Sequence, residues 1–246
     1  MTSTRYKPSL KDVNSTYADR SSQRKIDYRQ IVSIEVGSEK ETFRVHKDLL
    51  VSKSEFFRAA LKDSWIESQN GSVTLADTKV PEFEIFVHWL YYNAIESQRP
   101  QEEWDVQTWE SMVSLWCTGD ALMSIHFKNA VMNLMVKKRS DSQGPSTFNR
   151  PLATHIYDVT VPGSKLRLFF ADSWARCTNL EPTVNHERFL TRNDEYLKDI
   201  ALVAIGCWVR GEQYSRSHVT PAEPEDFHEK AEAKGVDHKQ AEEKPK

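Results

Sequence analysis

The sequence predicts an α+β fold in which a small sheet is covered by a helical cluster and followed by an all-helical extension. Three observations carry this. Val32, Ile34 and Val36 alternate with Ile31, Ser33 and Glu35, the period of a half-buried strand. Between residues 82 and 137 the apolar side chains recur at helical spacing instead. Past the run SDSQGPSTFNRP (140–151), dense in Ser, Gly, Pro and Asn, only the helical period returns.

Taken in order, residues 1–25 are polar and aperiodic and are expected to be disordered. The first strand, 31–36, ends at Gly37. In ETFRVH, Phe43 and Val45 share a face and predict a hairpin partner over 42–45. Ser52 and Glu55 stand at capping-box spacing and predict a helix over 54–62, with Phe57, Ala60 and Leu61 on one stripe. GSVTLAD predicts a short strand at 73–75. Pro81 suits a first helical turn, and Phe83, Phe86, Val87 and Leu90 stripe a helix over 82–92.

Trp109, Met112, Val113 and Trp116 stripe a helix over 106–118. Phe127, Ala130, Val131 and Leu134 stripe another over 125–137, with Gly119 expected at the break. Beyond the linker, Ser164 is placed to cap a helix carrying Leu166, Phe169, Phe170 and Trp174. Leu197, Ile200, Ala201, Ala204, Ile205 and Trp208 stripe a last helix over 195–208. The chain thus divides into a disordered segment 1–25, a first domain 26–139, a linker 140–151, a helical extension 152–211 and a charged tail 212–246. That tail is too poor in apolar residues to fold alone. Phe43, Leu50, Phe57, Leu61, Phe83, Phe86 and Leu90 are expected to form one core.

Composition narrows the function. Of the 246 residues 39% are hydrophobic and 11% aromatic, enough for one sizeable core or two small ones. A net charge of −3 supplies no basic surface for phosphates, which argues against a dedicated nucleic-acid binder. Cys117, Cys177 and Cys207 show no C-x-x-C spacing, so neither a zinc site nor a disulfide framework is expected, and a reducing compartment fits. No apolar signal core opens the chain and no run spans a bilayer. A soluble, intracellular protein without membrane contact is expected, cytoplasm and nucleus not being distinguished.

His46, His88, His126, His155 and His186 stand far apart, and His218, His228 and His238 fall in the tail. Without H-E-x-x-H or clustered carboxylates, no metal is expected. G-x-S-x-G, P-loop and other Gly-rich phosphate motifs are missing too, so no cofactor and no catalytic residue is assigned and the chain is expected not to be an enzyme. His88 reads as a flank or core histidine beside an apolar stripe, and Cys117 and Cys207 as inert helical thiols.

The ordered set FRVHKDLLVSKSEFFRAAL (43–61), WIES (65–68), VTLAD (73–77) and VPEFEIFVHWLYYNAI (80–95) resembles the BTB/POZ domain across about residues 28–95. Phe43, His46, Leu49, Leu50, Ser54, Phe56, Phe57, Phe83, Phe86, Leu90 and Tyr91 carry the likeness. The resemblance implies that the His46-Lys47 step closes the second strand and starts the first helix of a pair. His46 would then be scaffold, bonding backbone groups at that turn, while Leu49, Leu50, Phe56 and Phe57 point into the core. Helices up to about residue 139 would complete the domain. THIYDVTVPGSKLRLFFADSWA (154–175) is similar to the helical extension of many fungal BTB proteins.

The resemblance further implies a non-enzymatic protein-interaction module, a scaffold or adaptor. In BTB proteins that recruit a cullin scaffold, a hydrophobic-x-Glu step follows the helix pair, and Trp65-Ile66-Glu67 occupies that place. A large apolar side chain near a carboxylate suits the edge of an interface. One alternative is therefore a substrate adaptor of a cullin-based ubiquitin ligase; another is a transcriptional co-regulator without direct DNA contact. Dimeric members carry an apolar N-terminal helix and an aspartate ahead of the first strand. Here residues 1–25 are polar and Gln30 takes the aspartate's place. Exchange of such a segment would bury little apolar area, at ~25 cal/mol per Å². This argues against the helix-swapped dimer and leaves self-association through another face open.

Overall fold

The alternation at 31–36 is realised as β1 (Ile31–Val36), with Val32, Ile34 and Val36 buried and Ile31 exposed. A computed structural model of the chain describes residues 27–62, 72–101, 103–141, 150–177, 194–209 and 224–230. β2 (Glu41–His46) returns antiparallel, setting Ile34 against Phe43 and Val32 against Val45. The turn between them places Gly37 at φ 76, where a side chain would be strained. β3 (Ser72–Leu75) runs parallel to β1 on its other side, so the sheet order is β2-β1-β3.

The helix pair is α1 (Lys47–Lys53) and α2 (Glu55–Ala60). The capping box at Ser52 is corrected. Ser52 lies inside α1, where its hydroxyl donates to the Leu49 carbonyl at 2.8 Å. Ser54 has the extended backbone an N-cap requires and accepts the Phe57 N–H at 3.1 Å. α3 (Val80–Tyr92) has Pro81 in its first turn and ends at Asn93, left-handed at φ 53, whose N–H bonds the Trp89 carbonyl at 2.8 Å.

α4 (Trp109–Ala121) starts three residues later than expected, because Thr108 caps it by accepting the Ser111 N–H at 3.1 Å. α5 (Ile125–Asp141) follows. Gly119 does not break the helix. It lies within α4, where an added Cβ would come within 2.9 Å of Lys128 Cγ and 3.0 Å of Phe127 Cδ1. Close approach of α4 and α5 is what requires a glycine there, and the actual break falls at Leu122–Ser124.

α6 (Arg150–Val159), α7 (Lys165–Cys177) and α8 (Asp194–Val209) form the C-terminal helices. Ser164 caps α7, accepting the Arg167 N–H at 3.3 Å. The stripe expected on α8 is rotated: Ile205 is 57% exposed and Ala201 is also exposed. Ile200 is buried as expected, with Tyr196 and Cys207 buried beside it. Tyr196 sets this face, its ring meeting those of Tyr157 at 5.1 Å and Trp174 at 6.4 Å. The side chain of Trp208 lies outside the described residues.

One continuous apolar cluster joins the two halves. Trp109 on α4 meets Phe169 and Phe170 on α7 with ring centroids 6.2 and 6.0 Å apart. Arg139 on α5 reaches Asp172 on α7 at 3.0 Å, both side chains being buried. The tail 212–246 is not featureless either. Pro224–Phe227 form a 3-10 turn against α5 and α7, with Phe227 buried. A charged segment cannot make a core, but one aromatic can join an existing one.

Candidate protein-interaction site

Most of the signature residues are placed as a scaffold. Phe57, Phe83 and Phe86 are fully buried, and Leu49, Leu50, Leu61 and Leu90 are buried beside them. Phe83 lies between Phe57 and Phe86, at 6.4 and 5.9 Å. Phe43 and Phe56 are only half-buried at the rim. β2 is a sheet edge, so Phe43 covers Phe83 edge-on at 5.1 Å and keeps one side open.

His46 departs from the expected backbone partner. Its Nδ1 sits 2.6 Å from the Tyr91 hydroxyl, which also accepts the His46 backbone N–H at 3.3 Å. The strand-to-helix turn is instead closed by the Lys47 N–H, which donates to the Gln30 carbonyl at 2.9 Å. Around His46 the surface is aromatic: Tyr28 stands edge-on at 5.3 Å and is 59% exposed, and Tyr91 is 40% exposed. Ile31, paired across the strands with His46, is exposed as well. One helical turn back, His88 bonds the Ala94 carbonyl at 3.1 Å and stacks on exposed Tyr92 at 4.7 Å.

Trp65, Ile66 and Glu67 lie outside the described residues. The segment that contains them is tethered at Leu61 and Val73, both buried in the core.

Two chemically suggestive groups are accounted for by scaffold contacts. Glu82 is a buried carboxylate that sequence reading missed, hidden in the apolar run VPEFEIF. It accepts from Thr118 at 2.8 Å, from the Ser114 hydroxyl and from Lys79 at 3.2 Å. A buried charge so satisfied ties α3 to α4. Burial, helped by the Asp120 and Glu82 carboxylates, pushes the Cys117 thiol up to about 11, away from the reactive range. No group of three or more metal-ligating side chains occurs among the described residues, and none of their helices is long and apolar enough to cross a membrane.

The family model for the BTB/POZ domain matches residues 27–115, from just ahead of β1 into α4. No curated protein matches the chain. The family is one of protein-interaction modules. With its three-stranded sheet, its helix pair broken at Ser54 and its aromatic α3 stripe inside that match, the segment 27–115 has the BTB/POZ fold.

Proposed function

We propose that the chain is a non-enzymatic scaffold that holds partner proteins at its BTB surface. The supporting observation is the fate of the motif histidine: His46 is spent on Tyr91 and ringed by exposed Tyr28, Tyr91 and Ile31, an amphipathic surface rather than a catalytic cleft. Aromatic residues of this kind supply much of the energy of interfaces.

The more specific reading is a substrate adaptor of a cullin-based ubiquitin ligase, with Trp65-Ile66-Glu67 as one contact. The order of the chain supports it, since the motif follows the α1–α2 pair and precedes β3. Affinity capture with mass spectrometry, run on the wild-type chain and on W65A/E67A, tests it. The adaptor reading expects a cullin with the wild type and its loss from a folded double variant. Equal recovery from both defeats the site assignment, and chromatin proteins in place of a cullin would favour an indirect transcriptional role.

A further inference from the structure

The C-terminal turn occupies a built receptor. Phe227 is the buried residue of the segment 224–230, while Glu225, Asp226 and Lys230 stay exposed. Its ring meets Phe169 edge-on at 5.4 Å and lies under the Arg139 guanidinium at 5.5 Å. Asn129 reads the backbone of Glu229 in both directions: Oδ1 accepts its N–H at 2.8 Å and Nδ2 donates to its carbonyl at 3.0 Å. Lys165 donates to the Asp226 carbonyl at 3.0 Å, Lys128 lies 3.6 Å from the Glu229 carboxylate, and His228 meets Asn133 at 2.6 Å.

Two features separate this from a structural staple. The receptor cations have partners of their own. Arg139 is held by Asp172 at 3.0 Å and Ser173 at 2.9 Å, and Lys128 by Asp120 at 2.7 Å and the Trp116 ring at 4.8 Å. Withdrawal of the segment would leave neither charge stranded. The contacts through Asn129 and Lys165, moreover, go to main-chain atoms, which any peptide of the same conformation offers.

We propose that the face of α5 and α7 formed by Lys128, Asn129, Asn133, Arg139, Lys165 and Phe169 is a docking site for an acidic peptide of a partner protein with one aromatic anchor, and that residues 224–230 close it in cis. Charge contributes to the choice of ligand: Lys128 lies 3.6 Å from the Glu229 carboxylate, in a segment that also bears Glu225 and Asp226. One buried aromatic and a few hydrogen bonds make a weak site, held closed because a tether supplies an effective concentration of roughly millimolar. A partner peptide of higher affinity would displace it. The site is independent of Trp65–Glu67.

The test uses the full chain and a fluorescein-labelled synthetic peptide spanning residues 222–232, followed by anisotropy. The Phe227→Ala chain should bind the peptide about tenfold or more tighter than the wild type, whose site is filled. Adding Asn129→Ala to that chain, or replacing the phenylalanine of the peptide by alanine, should remove binding. No binding by a Phe227→Ala chain with native circular dichroism overturns the proposal. If that variant fails to fold, amide hydrogen exchange of the wild type decides. The Glu229 amide should exchange about a hundredfold faster than the core amides of α5, and equal protection makes the segment part of the core and overturns the proposal. A concentration-dependent dimer lost in Phe227→Ala would show docking between copies and overturn closure in cis.

Discussion

Ser54 and Ser124 cap different helices, and each hydroxyl donates to the turn that the other caps. Ser54 Oγ donates to the Leu122 carbonyl at 2.6 Å while accepting the Phe57 N–H of α2. Ser124 Oγ donates to the Lys53 carbonyl at 2.7 Å and accepts the Phe127 N–H of α5 at 3.4 Å. The Glu55 N–H closes the arrangement on the Met123 carbonyl at 3.3 Å. Both serines are buried, so water cannot replace either bond. The α1–α2 turn and the α4–α5 turn are therefore held as one unit.

Replacing either serine by alanine removes a cap and strands a buried carbonyl, and should cost about 2 kcal/mol. Because each change loosens the turn that the other serine bonds, the double variant should depart from additivity by about 1 kcal/mol in chemical denaturation. Strict additivity would show that the two turns are independent.

That pair also marks how far the sequence could be read. Ser54 stands out through its place before Phe56 and Phe57, yet spacing alone puts the cap at Ser52. The spacing to Glu55 fitted Ser52, and nothing local shows which serine leaves the helical backbone. Ser124 carried no signal, since its partner lies far along the chain. The stripes on α3, α4 and α5 were legible because their period is local and their apolar faces are wide. On α8 the small and apolar residues run nearly all round, so the sequence points Ile205 inward, whereas Tyr196 fixes the buried face. Phe227 was hidden by its charged neighbours, and only the groove between α5 and α7 explains it. Of the aromatic surface around His46 and His88, Tyr28 and Tyr92 are not legible, because exposed aromatics look like core residues in sequence.

Phe57 and Phe86 lie on either side of Phe83 in one row of rings, which continues from Phe86 to Phe127 at 5.1 Å. Truncation of either to alanine should cost ~3–5 kcal/mol, since both are fully enclosed and the surroundings cannot collapse into the space. Phe43→Ala, at the open rim, should cost clearly less. Equal losses in urea denaturation would contradict the rim position.

Cys117 gives a pH signature. Burial raises its folded pKa to about 11, above the unfolded value near ~8.5. The folded state therefore prefers the neutral thiol. Its contribution is complete below the unfolded value and is lost as pH climbs toward 11. Denaturation midpoints should fall over that window, and less so in Cys117→Ala. At pH 8 alkylation of Cys117 should be about two-hundredfold slower in the folded chain than in denaturant, as the thiolate fraction requires.

Arg167 orders the C-terminal helices. Its buried guanidinium donates to the Tyr157 carbonyl at 2.8 Å, to Thr160 Oγ1 at 2.9 Å and to the Thr160 carbonyl, and covers the Tyr157 ring at 4.4 Å. It also meets Glu195 of α8 at 2.5 Å, but that carboxylate is 61% exposed. The two ends of the ion pair should therefore behave unequally. Glu195→Ala loses a solvated partner and should cost less than about 1 kcal/mol. Arg167→Ala strands the carbonyls that end α6 and should cost about 3 kcal/mol. Arg167→Lys keeps the charge but not the planar fork that reaches three acceptors, so it should recover less than half of that loss. If Glu195→Ala proves as damaging as Arg167→Ala, the ion pair to α8 rather than the carbonyl cage at the end of α6 carries the contribution of Arg167. A full rescue by lysine would point to charge alone.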